Sequence, residues 1–442
     1  MAVPPSVGGE FAKGGGMILT AKFWRFFVSV FIFLFAFQAL SAAPLGYFRV
    51  EQRNGIWWLI DPEGRPTLSI GVDQIAYEPD AIRGTGPIPY RLAVEKIFPD
   101  RNTWGLATLA RLRLWGFNSI GAWSDSELWD RGVPYTIILD IAASAGAEWE
   151  RGLPVDVFAP RFEKTAGRIA GEMSAPRASD HNLVGYFSDN ELRWGPDWRG
   201  KESMLEMYLK LPAGAPGRGK AVEFVRERYG GDIGRLNEAW KTNAASFGDA
   251  SPAAETEAYK ADADRFLEKV ASRYFEVCAR AIRRADPNHL YLGARFAGRV
   301  PDAVVRAAHN IDVVSVNIYS LDPRPLVAHM AQLSGRPVLI GEFAFRAEDS
   351  GLPNTKGAGP KVGDQRARAK AYADFVNWLG SRPEVVGYHW FKWTDEPREG
   401  RFDGENSNYG LVDINDRPYQ EFVEAVKSAN AAAIEAHEKA AP

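Results

Sequence analysis

Eight short apolar runs, separated by segments of helical period, constrain the fold of this chain more than any other feature of its sequence. Each run is almost continuously apolar, which is typical of parallel strands that are buried on both faces. Eight such strands with helices between them predict an α/β fold of the (β/α)₈ TIM-barrel kind. The runs lie at residues 67–73, 117–123, 135–141, 183–189, 290–296, 312–319, 337–343 and 385–391.

A doubly wound open sheet is the alternative arrangement for such a pattern. That fold usually carries a glycine-rich phosphate loop after an early strand, and the stretch "SIGVDQIAYEP" after the first run has none. The chain of 442 residues is long enough for one large barrel domain. The barrel therefore remains the predicted fold.

Four further segments complete the predicted organisation. Residues 44–66 alternate in the manner of strands around an Asn-Gly turn, which predicts a small N-terminal β-hairpin element. Residues 67–430 form the predicted catalytic barrel, and a helical insertion over 199–255 follows its fourth strand. Residues 431–442 are rich in alanine and are predicted to be a disordered tail.

The first 43 residues are predicted to be a leader and a secretory signal peptide. Lys22 and Arg25 precede an apolar stretch at 26–37, and small residues follow at 39, 41 and 43. A retained membrane anchor is the alternative, although the stretch is shorter than the ~20 residues that a spanning helix needs. We therefore expect export to the periplasm or the medium, with no stable membrane partner after cleavage.

Charge and motifs exclude several classes of partner. The net charge is −3, and the basic residues are spread along the chain, which argues against a nucleic-acid partner. The six histidines and the single cysteine show no metal-ligand spacing, so neither a metal nor another cofactor is predicted. The 14 tryptophans and 15 tyrosines either fill a large core or stack on sugar rings, and composition alone favours the core.

Carboxylates stand at the ends of two predicted strands. The fourth run ends in Asp189-Asn190-Glu191, and the seventh ends in Gly341-Glu342. The carboxyl ends of barrel strands meet at the mouth, where active sites lie. A buried carboxylate needs a cationic partner, for which Arg295 and Arg346 are the candidates, or a catalytic role. Capping of the following helix is the simpler alternative for Asp189-Asn190-Glu191, but two such glutamates fit glycoside hydrolysis, which uses one carboxyl as acid and another as nucleophile.

The motifs "NE" after the fourth run, "GEF" in the seventh and a tryptophan in the eighth resemble clan A glycoside hydrolases. The resemblance implies that Glu191 is the acid/base and Glu342 the nucleophile. It also implies that Asn190 bonds the sugar 2-hydroxyl and that Tyr319 bonds the nucleophile. Trp390, in "GYHWFKW", would be the platform beneath the reacting sugar.

Two families within that clan share longer stretches with this chain. "GYFSDNEL" and "GIWWLIDPEGRPTLSIGV" resemble the agarases of family 50, and "YGGDIGRLNEAWKT" is similar, more weakly, to a segment of family 42 β-galactosidases. The resemblance implies a retaining glycoside hydrolase that acts on β-linked oligo- or polysaccharides, so a carbohydrate is the expected partner. A non-catalytic carbohydrate-binding protein and a transglycosylase are the alternatives. The sequence predicts no particular oligomeric state.

Other polar and aromatic residues near the strand ends are further candidates for substrate binding. His389 either binds a sugar hydroxyl or fills the barrel, and Asn317 is either a polar cleft residue or a packing residue. Arg295 would orient a carboxylate or an anionic sugar. Trp194, Trp198 and Trp393 are predicted to form aromatic subsites, with packing in the core as the alternative.

Overall fold

The computed structural model describes residues 46–440 of the chain. The predicted leader and signal peptide, and with them the expectation of export, lie outside the described residues. Among the described residues, no helix combines the length and the apolar character needed to cross a membrane.

A small antiparallel sheet opens the described chain. Its strands are β1 (Arg49–Arg53), β2 (Ile56–Ile60) and β3 (Pro66–Thr67). Asn54 and Gly55 turn the chain between β1 and β2, and both adopt positive φ, as a tight two-residue hairpin requires. Leu59 of the hairpin belongs to the same buried apolar cluster as side chains of the larger sheet, such as Leu339. The hairpin therefore covers the end of that sheet at which the strands begin.

Nine parallel strands form the central sheet, and each of the eight predicted runs contains at least one of them. The strands are β4 (Ser69–Val72), β5 (Ser119–Ile120), β6 (Tyr135–Ile138), β7 (Leu183–Phe187), β8 (Leu290–Tyr291), β9 (Phe296–Ala297), β10 (Val314–Asn317), β11 (Val338–Phe343) and β14 (Val385–Trp390). Their order across the sheet is β8-β7-β6-β5-β4-β14-β11-β10-β9. A separate two-stranded sheet joins β12 (Arg346–Ala347) and β13 (Lys361–Val362).

The two edge strands of the central sheet lie on one short segment, residues 290–297. Its first part, β8, pairs with β7, and its last part, β9, pairs with β10. Hydrogen bonds also join the residues after β7 to the part of this segment that lies between β8 and β9. The Ser188 N–H donates to the Gly293 carbonyl at 2.9 Å, and the Glu191 N–H donates to the Arg295 carbonyl at 3.0 Å. The sheet is therefore strongly curved, and the fold is α/β and barrel-like.

Twelve α-helices connect and cover these strands in the described part of the chain. They are α1 (Pro89–Val94), α2 (Arg101–Leu114), α3 (Ile141–Ala145), α4 (Pro160–Met173), α5 (Met204–Leu209), α6 (Pro216–Arg228), α7 (Ile233–Trp240), α8 (Glu257–Ala285), α9 (Asp302–Ala307), α10 (Arg324–Ser334), α11 (Gln365–Gly380) and α12 (Gln420–Glu438). The first three helices after β7, α5 to α7, lie within the segment predicted to be a helical insertion.

The prediction of a disordered tail from residue 431 is wrong for the part that the structure describes. Helix α12 continues to Glu438, and its alanines favour that conformation. Ala433 is buried against Gly380 of α11, and the two ring nitrogens of His437 contact the carbonyls of Gly380 (3.1 Å) and Trp57 (2.9 Å). These contacts connect the last helix to α11 and to the N-terminal hairpin. The composition suggested low complexity because alanine forms helices without adding an obvious apolar period.

Candidate active site

A cavity of about 1640 Å³ lies at the carboxyl ends of the central strands. Seven of the residues predicted from the sequence line it: Asn190, Glu191, Trp194, Trp198, Asn317, Tyr319 and Glu342. Asn317 ends β10 and pairs in register with Glu342 of the neighbouring strand β11. The parallel sheet thus brings together residues that are distant in sequence.

Glu342 is a buried carboxylate with two strong donors. Arg295 Nη2 donates to its Oε1 at 2.6 Å, and the Tyr319 hydroxyl donates to its Oε2 at 2.5 Å. Burial raises the pKa of the Glu342 carboxyl, while the Arg295 guanidinium and the Tyr319 hydroxyl oppose that rise. The net direction of the pKa shift is upward, and the two donors hold both carboxylate oxygens in a fixed orientation.

Glu191 has a different environment. Within residues 46–440, its side chain accepts one hydrogen bond, from Asn317 Nδ2 to Oε1 at 3.0 Å. Burial, and after it the charge of Glu342, raises the pKa of Glu191 to about 7. The two carboxyls therefore differ in their hydrogen-bond donors, since Glu342 is held by an arginine and a tyrosine and Glu191 by an asparagine. Different surroundings of this kind allow two carboxyls to take the separate roles of acid and nucleophile.

The backbone at Glu191 adopts a conformation that side-chain-bearing residues seldom use. Its φ is 50°, in the left-handed region. The surrounding structure holds this conformation, because the Glu191 N–H donates to the Arg295 carbonyl at 3.0 Å and the Glu191 carbonyl accepts from Arg199 Nη1 at 2.9 Å. The turn carries the side chain from the end of β7 into the cavity.

Arg295 lies behind the carboxylates and does not line the cavity. Its Nη2 bridges Glu342 and Asp73 Oδ2, the latter at 2.9 Å, and its Nε donates to Asn190 Oδ1 at 2.9 Å. Its predicted role as a substrate ligand is therefore corrected to that of a positioning residue, in agreement with the alternative prediction that Arg295 orients a carboxylate. Arg346 is not the partner of Glu342, since it bonds Ser407 and the Gly359 carbonyl.

Asp73 is a part of the site that the sequence analysis missed. It follows β4 directly, is fully buried and accepts from the Ala122 N–H at 2.9 Å as well as from Arg295. Its sequence signal was available, since Asp73 is the polar residue that ends the first apolar run, as Asp189 ends the fourth.

Replacing Arg295 by methionine should destabilise the protein by about 3–5 kcal/mol, because Asp73 and Glu342 would remain buried without their cation. The midpoint of urea unfolding measures this loss. Arg151→Met is the control, since this arginine is exposed and pairs with Glu148 at the surface. Equal stability of the two variants would contradict the bridging role.

Asn190 is oriented by two neighbours. Its Oδ1 accepts from Arg295 Nε at 2.9 Å and from Asn317 Nδ2 at 3.2 Å. These two bonds use the carbonyl oxygen of the amide and leave its NH₂ group for other partners. The side chain lines the cavity and so presents a donor beside Glu191.

Asp189 serves as a helix cap. Its carboxylate accepts from the Ala142 N–H at 2.8 Å, the Ala143 N–H at 3.3 Å and the Tyr274 hydroxyl at 2.6 Å. The capped helix is α3, which follows the neighbouring strand, and not the helix that follows Asp189 in the chain. Burial raises the pKa of Asp189 to about 7.

Two predicted binding residues on β14 lie outside the cavity. Successive side chains of a strand point to opposite faces, so His389 enters the barrel interior, with Nε2 2.9 Å from Ser69 Oγ, and Trp390 faces the helices. The Trp390 ring packs against Tyr372 and Phe422 with centroids 5.5 and 5.2 Å apart. The assignments of His389 and Trp390 as substrate ligands are therefore wrong. The aromatic residue that lines the cavity here is the next one, Phe391.

Trp393 is also not a cleft residue. It is fully buried, its Nε1 donates to the Tyr90 hydroxyl at 3.0 Å, and its ring stacks on Trp115 at 5.4 Å. Its predicted role in an aromatic subsite is wrong, because its side chain packs in the core and does not line the cavity.

Aromatic rings do line the cavity at other positions. Trp194 reaches it but is only 5% exposed and stacks on Phe275, so it is largely a core residue. Trp198 is 63% exposed, with the Arg199 guanidinium 4.2 Å from its ring centroid. Trp123 and Trp149, which the sequence analysis missed, line the cavity and are 36% and 37% exposed. Trp123 could have been found, since it ends the second apolar run.

A metal centre is not evident within residues 46–440, where no group of three or more His, Cys, Asp or Glu side chains is arranged to hold an ion.

The fold and the site together define a class: a barrel-like α/β protein with a pair of unlike carboxyl groups at the carboxyl ends of its strands. Comparison with known proteins narrows this class. The chain is 31% identical over 469 residues to Beta-agarase A of Vibrio sp. (strain JT0107), an alignment that covers 89% of this chain and 46% of that protein. No family model matches the chain.

Solved structures agree with that similarity. An exo-beta-agarase superposes with a TM-score of 0.78 and 27% identity, covering 96% of this chain and 72% of that chain. PfGH50B superposes with a TM-score of 0.76 and 28% identity, covering 90% and 68%. These similarities support the predicted resemblance to family 50 agarases. The resemblance to family 42 and the assignment to clan A stay predictions. The chain spans about half the length of the curated relatives it matches.

Proposed function

We propose that the protein is a retaining glycoside hydrolase that cleaves β-linked polysaccharides of the agar type. The observation that carries this proposal is the pair of carboxyl groups in one cavity, of which Glu342 is held by Arg295 and Tyr319 while Glu191 accepts from the neutral amide of Asn317. The similarity to proteins named as beta-agarases supports the choice of substrate class.

The proposed mechanism is a double displacement. Glu342 attacks the anomeric carbon while Glu191 gives its proton to the leaving oxygen, which breaks the glycosidic bond and forms a glycosyl ester on Glu342. Glu191, now ionised, takes a proton from water as that water attacks the anomeric carbon. The ester bond breaks, Glu342 regains its charge, and the sugar leaves with its original β configuration.

The neighbouring residues have supporting roles in this proposal. The NH₂ group of Asn190 would bond the sugar 2-hydroxyl, a contact that strengthens in the transition state. The Tyr319 hydroxyl orients the Glu342 carboxylate. Phe391, which lies edge-on to Tyr319 with centroids 6.4 Å apart, takes the place of Trp390 as the platform beneath the reacting sugar. Within the same proposal, the central sheet closes into a (β/α)₈ barrel through residues 290–297.

Replacing Trp198 by alanine should raise KM for an agar oligosaccharide about tenfold and leave kcat unchanged, because an exposed ring at the rim binds ground state and transition state alike. Steady-state kinetics measure KM and kcat separately. Trp378→Ala is the matched control, since Trp378 also carries a stacked guanidinium, Arg382 at 5.4 Å, but does not line the cavity. A fall in kcat alone would contradict this role of Trp198.

The proposed function is tested by a product-resolved screen on agar and a panel of other β-linked polysaccharides. We expect shorter oligosaccharides from agar. Products longer than the substrate would instead indicate a transglycosylase. Binding without any cleavage would indicate a non-catalytic carbohydrate-binding protein.

A further inference from the structure

Two cationic side chains meet at one end of the cavity. Arg83 lies on the loop after β4, and Lys356 lies on the loop between β12 and β13. Both are exposed and line the cavity. Arg83 Nη1 and Lys356 Nζ lie 3.1 and 3.5 Å from the position that a Cβ on Gly404 would occupy. The two cations are therefore close neighbours, and the absence of a side chain on Gly404 leaves the space between them open.

Neither cation is neutralised by a carboxylate. Among the described residues, no carboxylate oxygen lies within 4.0 Å of Arg83 or Lys356. The nearby carboxylates of Asp403 and Glu405 pair with Arg401, at 3.0 and 2.8 Å. Lys356 Nζ donates to the backbone carbonyl of Asp403, which bears no formal charge.

Hydrogen bonds connect the backbone of Arg83 and of Lys356 to the same loop, the one that follows β14. The Arg83 N–H donates to the Gly400 carbonyl at 2.9 Å. The Lys356 carbonyl accepts from the Asn406 N–H at 3.1 Å and from Ser407 Oγ at 2.8 Å. Two like charges that are fixed close together repel each other, and an anion between them relieves that repulsion.

An exposed aromatic ring lies beside this pair. Phe402 belongs to the same loop, lines the cavity and is 58% exposed. The loop follows β14, which is four places from β7 in the order of the sheet, so this end of the cavity is opposite the end that carries Trp198. A sugar ring could stack on Phe402 while a charged substituent of that sugar reaches the cations.

We propose that Arg83 and Lys356 form a subsite for an anionic substituent of the polysaccharide, either a sulfate ester or a carboxylate. The planar guanidinium of Arg83 matches the paired oxygens of both groups, and the ammonium of Lys356 adds a second charge. The inference rests on the proposed function, and it extends the substrate class from neutral agar chains to anionic ones.

Isothermal titration of the inactivated Glu342→Gln protein tests this subsite. The probes are a neutral agar hexasaccharide, the same hexasaccharide bearing sulfate esters, and the same hexasaccharide oxidised to carboxylates at C6. We expect at least one anionic probe to bind about tenfold more tightly than the neutral one at low salt, with a preference that declines as salt screens the charges. Adding Arg83→Gln and Lys356→Gln should abolish the preference. Adding Arg151→Gln instead should preserve it, since this cavity arginine pairs with Glu148 at 3.0 Å.

Each outcome decides the inference. A preference for one anionic probe supports the subsite and identifies the substituent. Equal binding of all three probes overturns the subsite and leaves the proposed function intact. A preference for an anionic probe that persists in the protein with both Arg83→Gln and Lys356→Gln has the same consequence. Binding of none of the probes overturns the proposed function and the subsite with it.

Discussion

Replacing Glu342 by glutamine should lower turnover of agar on the order of 10⁵-fold, the scale of loss found when a covalent nucleophile is removed. Glutamine keeps the shape of the side chain and its packing between Arg295 and Tyr319 but cannot form the glycosyl ester. The expected loss is therefore in kcat, while binding of an agar oligosaccharide persists. Single-turnover and steady-state kinetics on the same preparation separate the two quantities.

The matched control is Glu384→Gln. Glu384 is a largely buried glutamate that pairs with Arg382 at 3.0 Å and lies just before β14, at the opposite end of the barrel. We expect near-parent turnover from this variant. Turnover of Glu342→Gln within a few-fold of the parent would remove Glu342 from the mechanism, and an equal loss in both variants would point to a general structural effect.

Replacing Glu191 by glutamine should lower kcat on agar by about 10²- to 10⁴-fold, because the leaving oxygen loses its proton donor. An aryl glycoside whose phenolate leaves without protonation should transfer its glycosyl group to Glu342 almost as fast as before, with release of the phenolate. Azide added to Glu191→Ala should then yield the β-glycosyl azide, because the small anion attacks the glycosyl ester in place of water. Azide with Glu342→Ala should yield the α-glycosyl azide. Azide products of the same configuration from both variants would contradict the two assigned roles.

The pH dependence of hydrolysis by the parent protein should reflect the titration of Glu191. Glu191 must be protonated to act, and its pKa of about 7 lies above the ordinary value for glutamate. Activity should therefore be retained below pH 7 and fall as the pH rises through that value, since the acid loses its proton. The Glu191→Gln variant should lack this alkaline limb, and an unchanged limb in the variant would assign it to another group.

The fold was accessible from the sequence because its strands are short, continuously apolar and bounded by polar residues. The same pattern located Glu191 and Glu342, since a carboxylate at or near the end of an apolar run stands where parallel strands converge. The different hydrogen-bond partners of Glu191 and Glu342 could not be predicted from the sequence. Only the register between β10 and β11 places Asn317 beside Glu342, and only the segment 290–297 places Arg295 behind both carboxyls.

The incorrect predictions, for Trp390 and for the C-terminal tail, concern residues at or near the ends of strands and helices, where contacts remote in sequence decide the structure. The sequence "GYHWFKW" offers several aromatic residues, and the alternation of side chains along β14 decides that Trp390 faces the helices and leaves Phe391 to line the cavity. Asp189 caps α3, a helix that is adjacent in space and not in sequence, so the stretch "SDNE" combines a cap with a candidate acid. The alanine-rich tail was misjudged because its contacts, Gly380 and Trp57, are remote in the chain.

Covalent trapping tests the central claim, that Glu342 is the nucleophile of a retaining mechanism, most directly. The protein is incubated with a 2-deoxy-2-fluoro β-galactoside that carries a good leaving group, and the labelled peptide is mapped by mass spectrometry. The account predicts one fluoroglycosyl group per chain, attached to Glu342 in the segment "PVLIGEF". Attachment to any other residue, or the absence of a label on an enzyme that cleaves agar, would contradict it.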